Sequence, residues 1–365
     1  MDFGIFLPTT DNGYILSTAT PSFTPTVGMN RDVAAVAEQT GYRFLLAMTK
    51  FRGYGDGNGF WDHSLDPMGL IGNLIAETRT LELWGSVAVP TLHPAMAARL
   101  AATYDDASDG RFVLNIVAGW NEAEYSQMGL WPEGYLQSRY DYSREYISIL
   151  RELWADGRSS RKSDYYVLED CLVQPTPPHG VKLVVPGQSA RSLAIAADLA
   201  DFNFVQGDLA AVTEARRELV SACAQTGRNV DSAALYGVIA AETDDEAIEQ
   251  FTEICRNVDD DSAQGLVRAG LTDGSSAGNR FRGLTDDIPR IAYAGADDPA
   301  QVVYHPALFH PHVVGSYDRV AAFFRSVQHE AGVGRAVVSF PDFTTDVETF
   351  GRRVIPLVDS DPSRP

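Results

Sequence analysis

Short apolar runs recur along the chain, and most are followed by a polar or Gly-rich loop and then by helical spacing. Phe3–Leu7 precedes a long loop to Met29 and a predicted helix near Asn30–Thr40, with Val33, Val36 and Ala37 on one face. Phe44–Met48 leads through a Gly-rich loop to a helix near Asp66–Glu77, and Leu81–Val89 to the Ala-rich stretch Pro94–Asp106. Phe112–Val117 is followed by a polar, aromatic loop and a long helix near Ser138–Trp154. Lys182–Val185, Phe202–Val205, Leu235–Ala241 and Ala336–Phe340 complete eight runs. Their helices are predicted near Ala190–Leu199, Ala210–Thr226, Asp244–Asn257 and Tyr317–Gly332. Strands separated by helices run parallel with right-handed crossovers, and eight such units close on themselves. The pattern predicts an α/β chain folded as one (β/α)8 TIM barrel over residues 1–365, with long loop insertions.

Two stretches break the repeat. Tyr165–Val173 reads as a small hairpin with the Pro-rich exit Pro175-Thr176-Pro177-Pro178, an insertion near 165–180. Gly270–Gly315, rich in Gly, Ser, Asp and Pro, reads as a long loop with an insertion near 270–312; loops of that length are usually functional or disordered.

Charge narrows the partners. The 365 residues carry 49 acidic and 29 basic side chains, net −20, which argues against nucleic acid and anionic membranes because both need clustered positive charge. With 45% hydrophobic and 21% charged residues, the composition is that of a globular chain. Cys171, Cys223 and Cys255 form no CxxC pair and no metal-like spacing, pointing to a reducing cytoplasm. Met1–Thr10 has no basic-then-apolar leader pattern, and no run of about 18 apolar residues suggests a membrane span.

Barrel active sites sit where strands end, so the candidates are Pro8–Asn12, Thr49–Arg52, Ser86–Pro90, Asn115–Trp120, Pro186–Ser189, Gln206–Asp208 and Phe340–Phe343. Most are uncharged, with no carboxylate pair and no Ser-His-Asp spacing, so a bound cofactor is expected to carry the reaction. Pro186-Gly187-Gln188-Ser189 opens a helix and reads as either a phosphate cradle or a capped turn without ligand. Gly53, Gly55, Gly57 and Gly59 match neither GxGxxG nor a P-loop and read as a surface loop. His305, His310 and His312 lie among prolines, a substrate lid or plain loop before a metal site; His63 reads as a structural histidine held by its neighbours. Trp120, Tyr125, Trp131, Tyr140 and Tyr142 could flank a planar ligand or simply pack.

Several separated stretches resemble the bacterial-luciferase-like superfamily of flavin-dependent monooxygenases, most closely its pyrimidine (uracil) monooxygenases. They are Asp11-Asn12-Gly13, Lys50 with Arg52-Gly53, Phe60-Trp61-Asp62-His63, Gly110-Arg111-Phe112, Gly119-Trp120 with Glu124-Tyr125, and Gln127-Met128-Gly129. The similarity continues through Trp131-Pro132, Ser138-Arg139-Tyr140-Asp141-Tyr142, Gly187-Gln188-Ser189, Ala200-Asp201-Phe202-Asn203-Phe204, Val314-Gly315-Ser316-Tyr317 and Glu348-Thr349-Phe350-Gly351.

This resemblance implies FMN contacts from Thr49, Lys50, Asn115, Glu124, Arg139, Tyr140 and Ser189, and an oxygen pocket of Leu46, Ser86, Asn115 and Val117; Ser86 stands where the family has Thr. It further implies FMNH2 from a separate NADH-dependent flavin reductase, O2 as cosubstrate, and a flavin peroxide, at N5 in this subgroup, that attacks an amide carbonyl and opens uracil or a related cyclic amide. A cytoplasmic homo-oligomer acting on a small heterocycle, with no metal, is the corresponding expectation. The insertion with His305, His310 and His312 departs from the pyrimidine enzymes, and the loop from Trp131 to Ser138 is slightly shorter. Other substrates of the superfamily, such as a sulfone or a halogenated aromatic, therefore stay open, as does a deazaflavin-dependent dehydrogenase. A non-catalytic flavin binder is a further alternative. A metal-dependent amide hydrolase would carry His-x-His after the first strand, where Pro8-Thr9-Thr10-Asp11 stands.

Overall fold

A computed structural model describes residues 1–54, 60–273 and 302–359. In chain order its first half has β1 (Asp2–Phe6), α1 (Val27–Gln39), β2 (Phe44–Ala47), α2 (Pro67–Glu77), β3 (Glu82–Ala88), α3 (Pro94–Ala107), β4 (Phe112–Val117), α4 (Glu122–Ser126) and α5 (Tyr135–Asp156). Then come β5 (Arg158–Ser159), β6 (Cys171–Leu172), β7 (Lys182–Pro186), α6 (Ala190–Leu199), β8 (Phe202–Gln206), α7 (Leu209–Thr226), β9 (Asp231–Ala241), α8 (Asp244–Arg256) and α9 (Asp260–Asp273). The last part has β10 (His312–Ser316), α10 (Tyr317–His329), β11 (Arg335–Ser339), α11 (Asp346–Arg353) and α12 (Ile355–Asp359).

The helices start where local chemistry allows. Asp66 accepts from Gly69 N–H with Pro67 at the first helical position, and Thr243 with Glu246 forms a reciprocal capping box on α8. Gly157 and Gly227 end α5 and α7 in the left-handed conformation, satisfying carbonyls of the last turn.

The eight predicted strands pair in parallel in the order β1-β2-β3-β4-β7-β8-β9-β11, and β11 returns to β1, closing the barrel. Phe44 stacks on Trp84 with ring centres 4.5 Å apart, and Trp84 on Phe202 at 5.2 Å. The Arg335 guanidinium lies 4.6 Å from the Phe202 ring centre and pairs with Glu82 at 2.7 Å. These side chains floor the barrel at the N-terminal ends of its strands. Gly4 belongs to that layer, since a Cβ there would overlap the Phe44 ring.

Three features differ from the sequence expectation. β10, inside the stretch read as loop, pairs in parallel with the second half of β9, from His312 opposite Gly237 to Ser316 opposite Ala241. β9 is correspondingly longer than the predicted run, beginning at Asp231 to reach β8 and β11. The hairpin is also wider than predicted, with β5 and β6 antiparallel and a further bridge between Lys162 and Val167. Much of the predicted 270–312 insertion, residues 274–301, lies outside the described residues, as do Gly55, Gly57 and Gly59. Among the described residues no helix is long and apolar enough to cross a membrane.

Gly237 leaves room for the His312 ring, which an added Cβ would overlap. Gly237→Ala should therefore lower unfolding stability by about 1–3 kcal/mol, read from the urea midpoint; an unchanged midpoint would mean that β10 shifts freely.

Candidate functional site

Side chains alternate across a strand, so residues two positions beyond the floor also face inward. From Gly4, Phe44, Trp84 and Phe202 that step reaches Phe6, Leu46, Ser86 and Phe204, and all four line one cavity of about 490 Å³ at the C-terminal mouth. Asn115 and Val117 from β4, Leu235 from β9 and Gln206 at the end of β8 extend the wall, with Met48, Thr49, Trp120, Arg139 and Tyr140 around it. That volume is in the range of a cofactor or ligand site.

The predicted oxygen-pocket residues Leu46, Ser86, Asn115 and Val117 are thus brought together. Ser86 and Asn115 are directly opposite in the β3–β4 register, and Asn115 Nδ2 donates to Ser86 Oγ at 2.9 Å. This bond orients the carboxamide, whose Oδ1 is buried without a hydrogen-bond partner among the described residues. Gln206 Oε1 and Arg139 Nη1 are orphaned in the same way. Buried polar atoms are normally satisfied, so three orphans around one cavity mark places for complementary ligand atoms.

The predicted cofactor residues fall into three places, the last being Ser189, which caps α6 outside the cavity lining. Thr49, Asn115, Arg139 and Tyr140 line the cavity, whereas Lys50 and Glu124 form a buried pair beside it. Lys50 Nζ is 2.9 Å from Glu124 Oε2 and donates to Tyr54 Oη at 3.0 Å, and it lies 5.9 Å from the centre of the cavity-lining Trp120 ring. Glu124 also accepts the Phe51 N–H at 2.8 Å, fixing the loop after β2. Burial pushes the Lys50 ammonium down, but Tyr54 and Glu124 outweigh it and hold the group above its ordinary range, so it stays charged.

Ser189 is the N-cap of α6, its hydroxyl accepting the Ser192 N–H at 3.3 Å, while Pro186, Gly187 and Gln188 face the cavity. Gly187 has φ +126°, and a Cβ there would meet Ser192 Oγ at 2.7 Å, so the turn requires glycine. Arg139 and Arg191 both lie over the Tyr140 ring, at 5.1 and 5.4 Å, and Arg191 pairs with Asp141 at 2.7 Å. Arg139 near the start of α5 thus stands beside the start of α6, where the Arg191 charge is matched by Asp141.

The histidines of the long loop are buried. His310 Nε2 is 2.7 Å from Ser339 Oγ, His312 Nδ1 is 2.8 Å from the His310 carbonyl, and their rings stack at 5.0 Å. They anchor the segment whose Tyr304, Phe309 and Pro311 close one side of the cavity. Among the described residues no three His, Cys, Asp or Glu side chains converge as metal ligands. His63 is held from the adjacent β1–α1 loop rather than by its chain neighbours: its backbone N–H donates to Asp11 Oδ1 at 3.2 Å, while Asp62 accepts the Gly53 N–H. Of the aromatic stretch, Trp120 and Tyr140 line the cavity, whereas Tyr125 stacks on Trp131 at 5.6 Å and Tyr142 packs against Tyr135 and Tyr165.

Sequence reasoning missed the role of Phe309. Trp61, buried at φ +68° with its indole donating to the Gly13 carbonyl at 2.5 Å, meets Phe309 edge-on at 4.3 Å and so braces the cavity wall from the β2–α2 loop. Gln206 was visible only as one strand-end position among many, because an isolated glutamine carries no spacing signal.

The luciferase-like monooxygenase family model matches residues 1–335. The chain is 37% identical to the pyrimidine monooxygenase RutA of Bradyrhizobium sp., covering 100% of this chain and 99% of the relative. Among solved structures it is similar to a riboflavin lyase bound to modified FMN and riboflavin, with a TM-score of 0.80, 19% identity, and 98% and 91% of the two chains covered. The EDTA monooxygenase of Chelativorans sp. gives a TM-score of 0.79 at 16% identity, covering 100% and 95%. At those identities the two structures show the barrel fold alone.

Two outcomes are expected. Lys50→Met leaves Glu124 buried without its cation and should cost about 3–5 kcal/mol in urea unfolding, much of it regained in Lys50→Met/Glu124→Leu; equal losses in both variants would argue against an uncompensated charge. Burial holds His312 down at about 4, so between there and an unfolded value of about 6.5 only the unfolded chain takes up the proton. Stability is then lost as pH falls through that window, and the stability gap between native protein and His312→Gln should narrow from pH 7 to pH 4.5; a constant gap would contradict the buried neutral imidazole.

Proposed function

The chain belongs to the luciferase-like monooxygenase family and is a flavin-dependent monooxygenase, and from that footing we propose that it uses FMN, reduced by a separate NADH-dependent reductase, and O2 to open uracil or a related cyclic amide. The observation that carries this reading is the Ser86–Asn115 pair, a fixed polar couple flanked by Leu46 and Val117 on the cavity wall, with Asn115 Oδ1 buried and without a hydrogen-bond partner among the described residues. The residues present fit FMN. The cavity has the size and the flanking aromatic rings for a planar ring system, and Arg139 has a buried donor without a partner among the described residues, suited to an anion beside the α6 N-terminus. Thr49, Tyr140 and Ser189 would complete that binding, while Lys50 and Glu124 would shape the wall behind Trp120.

When bound, reduced FMN supplies the electrons that activate O2 and the route by which one oxygen atom reaches the substrate. The protein's own part is positional. Leu46 and Val117 would keep an apolar space for dioxygen beside Ser86 and Asn115. Asn115 has a second amide hydrogen and Ser86 a hydroxyl hydrogen to donate once their mutual bond is made, and both can hold a substrate carbonyl and stabilise negative charge developing on its oxygen. Tyr304, Phe309 and Pro311 would cover the substrate, and no side chain of the wall needs to act as a strong base. The 365 residues are read as one barrel domain, acting in the cytoplasm as a homo-oligomer.

The test is turnover of a pyrimidine panel with enzymatically reduced FMN, products read by mass spectrometry. A ring-opened product from uracil is expected; tight FMN binding with no product from any pyrimidine would move the enzyme to another substrate class. Asn115→Ala should lower product formation by about 100-fold while FMN affinity changes only a few-fold, and unchanged turnover would remove Asn115 from the site.

A further inference from the structure

Gln206 and Gln188 stand on neighbouring strand ends at one side of the cavity, and neither is used in the chemistry above. Along β8, Phe202 enters the barrel floor, Phe204 lines the cavity and Gln206 faces it one step higher. Gln206 is opposite Leu235 in the β8–β9 register, and Leu235 is also cavity wall. Its Oε1 is buried with no hydrogen-bond partner among the described residues. Gln188 is held differently. Its Oε1 accepts the Gln206 backbone N–H at 3.3 Å, which leaves its NH2 as the group it can offer to the cavity.

The turn carrying Gln188 is itself rigid. Asn203 Nδ2 donates to the Val185 and Gly187 carbonyls at 2.9 and 3.0 Å, and the Gly187 N–H donates to the Phe204 carbonyl at 3.0 Å. A bare acceptor and a bare donor are thus held at the ends of adjacent strands, and an acceptor left buried without a partner is unfavourable until a ligand supplies one.

We propose that Gln206 and Gln188 form a subsite that reads a ureide edge, Gln206 Oε1 accepting from a ring N–H and the Gln188 NH2 donating to the adjacent ring carbonyl. This rests on the cyclic-amide reading above and gives it a specificity determinant. Two groups present that edge: a pyrimidine substrate, and the pyrimidine portion of the flavin ring.

Gln206→Leu and Gln188→Met separate them when the FMN dissociation constant and the uracil KM are both measured, with circular dichroism to check folding. A KM raised about tenfold or more with FMN affinity within twofold supports the subsite and assigns the edge to the substrate. A weakened FMN affinity with unchanged KM supports it and assigns the edge to the flavin. If both constants stay at native values in both variants, the subsite is overturned. If the native enzyme does not turn over uracil at all, the preceding functional reading fails, and FMN affinity untouched by either variant then overturns this inference too.

Discussion

The aromatic floor of the barrel sets the phase of the strands on which everything above it depends. Phe44, Trp84 and Phe202 must point inward to stack under Arg335, and a one-residue slip in any of their strands would turn its side chains to the opposite face. With that phase set, Leu46, Ser86, Phe204 and Gln206 have no choice but to face the mouth. The parallel register then decides who meets whom. Ser86 meets Asn115 across β3 and β4, and Gln206 meets Leu235 across β8 and β9.

Above the floor the barrel trades packing for unsatisfied polarity. A fully packed barrel would fill its upper layers with branched apolar side chains. Here Asn115, Gln206 and Arg139 each bring a buried polar atom that finds no hydrogen-bond partner among the described residues. Their cost is borne by a stiff surround: the Lys50–Glu124 pair tying the β2 and β4 loops, the Trp61–Phe309 contact bracing the cavity cover, and the His310–Ser339 bond anchoring it to β11. These contacts are chemically unlike one another, yet all hold loops against the strand ends where the orphaned atoms sit.

Much of this was legible in the sequence, and for identifiable reasons. Eight buried strands announce themselves as apolar runs because both faces are covered, and the positions at and just after their ends name half of the cavity wall, Thr49, Asn115 and Gln206 included. β10 was not legible, since His312-Val313-Val314-Gly315-Ser316 is short, follows Pro311 and pairs only because β9 overshoots its neighbours. The difference between Thr49, which lines the cavity, and its neighbour Lys50, which turns into an ion pair beside it, is a matter of side-chain direction in a loop, which no periodicity encodes. Nor could the histidines be resolved from spacing: their burial and their bonds to Ser339 and to a backbone carbonyl are tertiary facts.

In the proposed reaction an oxygen atom from O2 is transferred to an amide carbonyl within the cavity beside Asn115 and Ser86. Its most direct measurement is mass spectrometry of the uracil product formed by the enzyme with reduced FMN under ¹⁸O2 in ordinary water. The account predicts one ¹⁸O atom in the ring-opened product. A ring-opened product without ¹⁸O, its added oxygen having come from water, would contradict it and make the reaction a hydrolysis.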